Sequence, residues 1–375
     1  MRVVIAGGGT GGHTSAGLAV AAALRARDSV EVVWIGTADG AEARRVPEAG
    51  IAFHAIPAGK LRRYWDRRNL WRNFADLAWR VPLGLLAARR LLGRLRPAVL
   101  LGTGGFVSLP PAVAAWSRGI PVVVHEQTAV PGLANRLAAR LATRVALSFP
   151  PTGASVGTPG SAVVTGNPVR PEVRDGSREE GLRLLGFDGA QPVVYITGGS
   201  LGAHRINRAV GEALGQILQG CQIVHQCGDN AETGDRAWLA ERAAALPAAL
   251  RARYALRPYV GAELRHVYAL ASLVVGRSGA GTLHECCALG RAALYVPLPG
   301  ASGDEQTANA REVERVGGAR ILPQAALTPA ALAAAVAELL GDPAALAAMG
   351  ARARGLHVPD AAERLAGLVL EAARG

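Results

Sequence analysis

The sequence contains few of the residues on which several classes of protein depend. Its four cysteines are Cys221, Cys227, Cys286 and Cys287, and no two of them form a CxxC pair. This pattern excludes a zinc framework and a disulfide-stapled secreted fold. The sequence also lacks an Asp-x-Asp pair, so it does not indicate a diphosphate clamped by a metal, and it predicts no metal and no cofactor.

Long apolar segments are missing as well. No run of 18 apolar residues occurs, so no helix is expected to span a membrane. Met1 and Arg2 lead directly into Val3 to Ala6, a buried strand pattern, with no signal peptide before it. The protein is therefore expected to be cytoplasmic, or peripheral on the cytoplasmic face of the cell membrane.

Acidic residues are too few to balance the basic ones. The chain has 41 Lys and Arg against 29 Asp and Glu, a net charge of +12. This excess predicts an anionic partner, which composition leaves open between nucleic acid, an acidic lipid surface and a phosphorylated substrate. Heavy use of Arg and Ala is equally typical of a GC-rich genome.

The chain divides into two halves with the same pattern, and its 375 residues suit two domains. In the first half, a strand at Val3 to Ala6, a glycine loop, a helix at Leu18 to Arg27 and a strand at Val30 to Ile35 form a βαβ unit. The pattern resumes with a strand at Val193 to Thr197 and a helix at Ile206 to Leu218. The sequence thus predicts an α/β protein with two Rossmann-like doubly wound domains. Ligands of such sheets bind at the carboxyl ends of the strands, and we expect the site in the cleft between the two halves.

Glycine loops that follow a strand and open a helix occur in both halves. They are Gly7 to Gly12, Gly198 to Gly202 and Ser278 to Gly281, with a fourth cluster at Gly102 to Phe106. Backbone N–H groups and the positive end of a helix favour phosphate at such loops. A single loop could be a tight turn without a ligand, but recurrence in both halves favours a phosphate-bearing ligand.

The first loop also matches the dinucleotide fingerprint GxGxxG. A dinucleotide site requires an acidic residue at the end of the second strand, and that strand ends Trp34-Ile35-Gly36-Thr37. The missing acid counts against NAD. The alternative is a leaving diphosphate stabilised by helix ends and arginine alone.

Further motifs follow one another in order along nearly the whole chain. They are GGTGGH (8–13), GGFVS (104–108), HEQ (125–127), GNPVR (166–170), GGSLGA (198–203), RSGA (277–280), Glu285 and QTANA (306–310). In this order and spacing they resemble the MurG family, the UDP-N-acetylglucosamine transferases that convert lipid I to lipid II in peptidoglycan synthesis. The resemblance implies a GT-B fold and an inverting transfer of N-acetylglucosamine from UDP-GlcNAc to the muramyl C4 hydroxyl of lipid I (undecaprenyl-pyrophosphoryl-MurNAc-pentapeptide).

The resemblance also implies a domain organisation in which each part of the chain has its own role. Residues 1–165 would form an acceptor and membrane-associating domain, and residues 166–345 a UDP-sugar donor domain. Residues 346–375 would form a C-terminal helix that returns to the first domain.

The family's functional residues can be placed on this sequence one by one. His13 matches the proposed general base. The implied acceptor, diphosphate and donor contacts are Thr10, Gly11, Gly12, Thr128, Arg170, Ser200, Gly261, Ala280, Gly281, Thr282, Leu283, His284, Glu285 and Gln306. Within this set Glu285 would bind the ribose hydroxyls, Gln306 the donor sugar, and the backbone near Val260 and Gly261 the uracil.

Four positions depart from the family pattern. Ala16 stands where the family usually has Pro, Thr128 where it has Asn, and Phe106 where Tyr is common. Glu305 occupies a position usually held by His or Gln. The contact implied for Thr128 and the role of Glu305 are therefore open.

The chemistry requires a base for the acceptor hydroxyl and an environment that accepts the charge of the diphosphate. A neutral imidazole is a suitable base near pH 7, and the positive end of a helix at His13 disfavours the imidazolium. A capping or packing role for His13 is the alternative, and Glu126 is the alternative base. Thr282 and Glu285 also fit a capping box, Ser200 could cap the helix after it, and Arg170 could be an exposed turn residue.

Basic and aromatic residues are concentrated between residues 60 and 96. Six arginines (62, 63, 67, 68, 72 and 80) alternate there with aromatic side chains. This mixture predicts contact with an anionic membrane surface. The predicted contact residues are Trp65, Trp71, Phe74, Trp79 and Trp116. An amphipathic helix with its aromatics in the core is the alternative, and no nucleic-acid partner is expected because no RNA-binding motif accompanies the cluster.

Two other functions remain open at this stage. One is a UDP-sugar transferase with a different lipid acceptor, such as diacylglycerol. The other is a nucleotide-binding, nucleic-acid-associated protein without transferase activity, which would not turn over a UDP-sugar.

Overall fold

The computed structural model describes residues 1–9, 11–27, 29–59, 79–156, 161–300 and 302–375. They form two compact units. The first consists of Met1–Val169 together with Val358–Gly375, and the second of Arg170–His357. The boundaries of these units fall at 169/170 and 357/358, which is 4 and 12 residues after the 165/166 and 345/346 expected from the sequence.

The first unit is built on a parallel sheet. Its strands are β1 (Arg2–Gly7), β2 (Glu31–Gly36), β3 (Ala52–Ala55), β4 (Val99–Gly104), β5 (Val122–Glu126), β6 (Arg144–Leu147) and β7 (Ala162–Val164). They are arranged in the order β3-β2-β1-β4-β5-β6-β7. The order reverses between β1 and β4, as in a Rossmann fold, which makes the carboxyl ends of these two strands the expected ligand site.

Helices cover both faces of this sheet. They are α1 (Gly11–Arg25), α2 (Glu42–Glu48), α3 (Val81–Leu95), α4 (Leu109–Trp116), α5 (Leu133–Ala139) and, from the end of the chain, α15 (Ala361–Ala372). Val3 and Ile5 of β1 share a core with α1 and α15, whereas Val4 and Ala6 share one with α3, α4 and α5. The alternation follows from the two-residue period of a strand.

The second unit repeats the plan. Its strands are β8 (Val193–Thr197), β9 (Gln222–Gln226), β10 (Tyr254–Arg257), β11 (Ala271–Gly276), β12 (Ala292–Tyr295) and β13 (Ala319–Ile321). They form a parallel sheet in the order β10-β9-β8-β11-β12-β13, with the reversal between β8 and β11. The predicted fold class, two Rossmann-like doubly wound α/β domains, is confirmed.

The helices of the second unit lie between and around these strands. They are α6 (Arg178–Leu185), α7 (His204–Ile217), α8 (Asp235–Ala244), α9 (Ala248–Arg251), α10 (Leu264–Leu270), α11 (Ala280–Leu289), α12 (Glu305–Arg315), α13 (Pro329–Gly341) and α14 (Pro343–Arg354). α7 and α13 contribute to one large core with Val194 and Ile196 of β8. Tyr195 points to the opposite face of the sheet, where its ring meets Tyr268 of α10 edge to face at 5.5 Å.

The first helix begins earlier than the sequence predicted. It starts at Gly11 rather than Leu18 and ends at Arg25 rather than Arg27. Glycines lower helix propensity, but here close packing outweighs it, because a Cβ on Gly17 would lie 2.3 Å from the buried Trp34 ring. His13 therefore lies inside the helix, on its first turn.

No single helix within the described ranges is long and apolar enough to cross a membrane. α13 and α14 pass that test of length and composition only as a pair, bent by 94°.

Candidate active site

Each sheet has two glycine loops, and they follow the two neighbouring strands between which the strand order reverses. Gly8 and Gly9 follow β1, Gly105 follows β4, Gly198 follows β8, and Ser278 follows β11. In each sheet the loops are therefore at the carboxyl edge, where ligands of this architecture bind. Thr10, the predicted contact in the first loop, lies outside the described residues, and Gly11 and Gly12 form the start of α1.

The first loop is held by a buried acid that the sequence analysis did not select. Glu42 of α2 is fully buried, and its carboxylate accepts hydrogen bonds from Gly9 N at 3.1 Å, Thr37 N at 3.0 Å and Thr37 Oγ1 at 2.8 Å. A Cβ on Gly8 would lie 2.2 Å from this carboxylate. The N–H of Gly9 thus donates to the Glu42 side chain, and this hydrogen bond fixes the conformation of the loop.

Replacement of Glu42 by Gln is expected to destabilise the protein by about 1–3 kcal/mol, because an amide nitrogen would then face one of these N–H donors in a buried position. Glu48→Gln on the exposed end of the same helix is the matched control and should change stability by less than about 0.5 kcal/mol. Urea unfolding measures both. Equal effects in the two variants would contradict a structural role for Glu42.

His13 packs against Gly104 and Gly105 at the end of β4. A Cβ on Gly104 would lie 2.7 Å from His13 Nδ1, and one on Gly105 would lie 3.4 Å from His13 Cδ2. Nδ1 is buried and makes no well-formed hydrogen bond within the described part of the chain. Burial lowers the pKa of His13, against the opposing influence of the Thr103 backbone and the Glu42 carboxylate. Burial therefore favours the neutral imidazole.

Glu126 lies at the end of β5 with both carboxylate oxygens engaged. Oε1 accepts from Thr128 N at 2.9 Å and from Thr128 Oγ1 at 2.7 Å, and Oε2 accepts from Asn135 Nδ2 at 2.9 Å. Burial raises the pKa of Glu126, while these hydrogen bonds oppose the shift. The Asn135 amide also lies near Gly104, which His13 contacts: a Cβ built on Gly104 would be 3.3 Å from Asn135 Nδ2. His13 and Asn135 thus lie at the same glycine, and Glu126 is joined to it through the Asn135 amide, while Thr128 hydrogen-bonds the carboxylate.

The predicted membrane residues divide into two groups. Trp65, Trp71 and Phe74 lie outside the described residues. Trp79 and Trp116 are 69% and 56% exposed, so neither of these two indoles belongs to a core.

Ser200 lies in the loop between β8 and α7. Its side chain is exposed, and the residue before α7 is Ala203, so Ser200 does not cap that helix. The capping alternative for Ser200 is therefore wrong. A contact with the donor remains a prediction.

Glu285 lies on α11 at the centre of a buried polar cluster. Oε1 accepts from Arg170 Nε at 2.9 Å and Arg170 Nη2 at 2.6 Å, and Oε2 accepts from the Tyr268 hydroxyl at 2.8 Å. Burial and the neighbouring Glu285 charge raise the pKa of Tyr268, so its hydroxyl stays a donor. The capping-box alternative is wrong, because α11 begins at Ala280 after Gly279, and Thr282 is already inside the helix.

The cluster also corrects the interpretation of Arg170 as an exposed turn residue. Its side chain is only 24% exposed and forms an ion pair with Glu285. The two residues are 115 positions apart in sequence, so no local pattern could have joined them.

The other predicted donor residues surround the same edge of the sheet. Ala280, Gly281, Thr282, Leu283 and His284 form the first turns of α11. The Ser278 hydroxyl donates to Gln306 O at 2.7 Å, and Gln306 Oε1 accepts from Leu298 N at 3.0 Å. Gly261 is exposed just after Val260, near the end of β10. No group of three His, Cys, Asp or Glu side chains that could hold a metal ion occurs in the described ranges.

Comparison with known proteins defines the class of enzyme. Residues 3–147 match the glycosyltransferase family 28 N-terminal domain, and residues 193–365 match the glycosyltransferase family 28 C-terminal domain. The two matches cover most of both units and every glycine loop. This chain is a glycosyltransferase.

Full-length relatives narrow the class. A UDP-N-acetylglucosamine–N-acetylmuramyl-(pentapeptide) pyrophosphoryl-undecaprenol N-acetylglucosamine transferase of a Nocardioides species is 42% identical, over 100% of this chain and 99% of its own. The enzyme of the same name from Aeromonas hydrophila is 42% identical, over 97% and 95%. The crystal structure of Acinetobacter baumannii MurG is 29% identical with a TM-score of 0.74, over 99% of both chains. The chain belongs to the MurG family.

Proposed function

We propose that this enzyme transfers N-acetylglucosamine from UDP-GlcNAc to the muramyl C4 hydroxyl of lipid I and so forms lipid II. The observation that carries the proposal is the full-length match to relatives of that name. His13 on α1 and Glu285 on α11 support it, because each lies on the helix that follows a glycine loop at a switch point. A diacylglycerol acceptor is not favoured, because none of these relatives bears such a name.

The residues of each unit support one part of this reaction. The acceptor oxygen attacks the anomeric carbon, the bond from that carbon to the UDP oxygen breaks, and the configuration inverts. His13 takes the proton of the hydroxyl as the new bond forms. In the second unit Glu285 binds the ribose hydroxyls, and the N–H groups at the starts of α7 and α11 stabilise the diphosphate charge as UDP leaves.

The function is tested by incubating the purified protein with UDP-GlcNAc and a short-chain lipid I analogue in the presence of a chelator. UDP release that depends on the acceptor is expected. Turnover with diacylglycerol but not with the lipid I analogue would overturn the proposed acceptor. Loss of turnover in the chelator would contradict the metal-independent diphosphate site.

We also propose that the first unit binds an anionic membrane surface. Trp79 lies two residues before α3, and Leu83, Leu86 and Arg90 follow at helical spacing with exposed side chains. Trp116 ends α4, which packs against α3. An exposed apolar stripe bordered by arginines suits the interface of acidic lipids, where each basic residue contributes about 1 kcal/mol.

The membrane proposal predicts binding to vesicles that contain phosphatidylglycerol and little binding to pure phosphatidylcholine. The double variant Trp79→Ala/Trp116→Ala should bind roughly tenfold more weakly or worse, because it removes two interfacial aromatics. Tyr259→Ala, in the second unit, is the control, since Tyr259 is also exposed, at 55%. Sedimentation with vesicles measures all three proteins. Equal loss of vesicle binding in the control, or no loss in the double variant, would refute the proposal that this surface binds the membrane.

A further inference from the structure

Gln226 ends strand β9 with its amide buried and fully hydrogen-bonded. Only 5% of the residue is exposed. Oε1 accepts from Val260 N at 2.9 Å, and Nε2 donates to Gly199 O at 2.9 Å and to Thr197 Oγ1 at 3.3 Å. One side chain therefore holds the backbone of two separate segments.

The sheet order explains why this residue can reach both segments. β9 lies between β10 and β8, so a side chain at its carboxyl end has a neighbouring loop on each side. One neighbour is the glycine loop after β8, which contains Gly199 and Ser200. The other is the segment after β10, which contains Val260 and Gly261. Within the proposed function, the first holds the diphosphate and the second contacts the uracil.

A second path leads from Gln226 towards the ribose site. The Tyr195 hydroxyl is 3.4 Å from Gln226 Oε1, and the Tyr195 ring meets the ring of Tyr268 edge to face. Tyr268 in turn donates to Glu285. The loop for the diphosphate, the segment for the base and the acid for the ribose are thus connected by buried side chains.

We infer that Gln226 is a positioning residue that sets the spacing between the diphosphate loop and the base-reading segment, and thereby the preference for a uridine diphosphate donor. This inference rests on the proposed function. The amide does this without touching the donor, because its donor and acceptor ends bind the two segments at once. Among side chains of this length, only Gln offers both ends without taking up or losing a proton.

The test replaces Gln226 by Met, which keeps the length of the side chain and removes both hydrogen-bonding ends. Val260 N and Gly199 O lose their partner, and each segment is free to relax. KM for UDP-GlcNAc should rise roughly 10- to 100-fold with kcat and the acceptor KM little changed. The affinity ratio of UDP over CDP, measured by competition, should fall at least roughly tenfold, since the base segment is no longer fixed.

Gln222→Met is the matched control. Gln222 lies on the same face of β9 at the opposite end, is also buried, and donates from Nε2 to Asp188 Oδ1 at 2.8 Å. The Gln222→Met variant loses one partly buried side-chain hydrogen bond but should keep the wild-type KM and the wild-type ratio of UDP to CDP affinity.

A second variant, Gln226→Glu, keeps the acceptor for Val260 N and removes the donor to Gly199 O. The Gln226→Glu variant should bind UDP at least roughly tenfold more weakly, and it provides the test if the Met variant does not fold. A folded Gln226 variant that binds UDP and CDP like Gln222→Met would overturn the inference. Failure of the wild-type protein itself to bind UDP would instead overturn the proposed function.

Discussion

Replacement of His13 by Asn should lower kcat by about 10²- to 10⁴-fold, the usual contribution of a general base. The side chain would remain polar and fit beside Gly104 and Gly105, so the loop should keep its shape. UDP-GlcNAc binding should be unchanged, because the proposed donor residues belong to the second unit. The rate of UDP release at saturating lipid I analogue measures the loss, and calorimetry with UDP measures binding.

Two further variants distinguish His13 from the alternatives. His54→Asn makes the same chemical change on β3 of the same unit and should leave kcat within a factor of about two. Glu126→Gln tests the other candidate base. If kcat is normal in His13→Asn and collapses in Glu126→Gln, the proton is taken by Glu126, whose buried carboxylate accepts a hydrogen bond from Asn135.

The pH profile offers an independent check on His13. Because burial lowers its pKa below the ordinary 6.5, the imidazole remains neutral under mildly acidic conditions. The acid limb of kcat/KM should therefore lie below pH 6.5 and should disappear in His13→Asn.

The same shift makes the stability of the fold depend on pH. In the unfolded chain this histidine takes up its proton near pH 6.5, so its contribution to stability is present above that pH and is lost as the pH falls. His225, whose pKa burial lowers to about 3, acts in the same sense.

Replacement of Glu285 by Gln should raise KM for UDP-GlcNAc roughly 10- to 100-fold, since hydrogen bonds to a charged group contribute about 1.5–3 kcal/mol each. The carboxylate accepts from Arg170 and Tyr268 and, in the proposed complex, from the ribose hydroxyls as well. The wild-type enzyme should therefore prefer UDP-GlcNAc to its 2′-deoxyribose analogue. Glu285→Gln should lose most of that preference.

The ribose preference separates binding from a purely structural effect. Tyr268→Phe removes one hydrogen bond to Glu285 but keeps the carboxylate, so it should raise KM less and retain the discrimination against 2′-deoxyribose. If Glu285→Gln discriminates between the two donors as well as the wild type does, Glu285 only supports Arg170 and Tyr268. Thermal unfolding of both variants shows whether the fold is intact.

Local sequence patterns were enough for the architecture and for the positions of the glycine loops. A buried strand, a glycine turn and a helix are consecutive in sequence, and the repetition of such units predicts a parallel sheet covered by helices. The same reasoning misplaced the start of α1, because glycine-rich helical turns are stabilised by packing against Trp34 rather than by propensity.

The polar side chains that hold the loops could not be predicted in this way. Glu42, Gln226 and Tyr268 are single residues without a motif, and, apart from Thr37 near Glu42, their partners lie 17 to 34 positions away in sequence. Thr282 and Glu285 show the opposite error, since a local capping pattern is present but the helix starts two residues before it. The roles of Glu42, Gln226 and Tyr268 follow only from the fold, which brings these side chains to atoms that are distant in sequence.

Helix α15 has a consequence for how the chain folds during synthesis. Leu365 and Val369 of this helix are fully buried in a core shared with Val3 and Ile5 at the other end of the chain. Residues 1–169 emerge first from the ribosome, yet their core lacks one helix until residue 372 has been made. The contiguous second unit can finish folding before the first, which reverses the usual amino-to-carboxyl order of domain folding. A released fragment of residues 1–360 should therefore contain a folded second unit, whereas its first unit should still be cleaved by proteases.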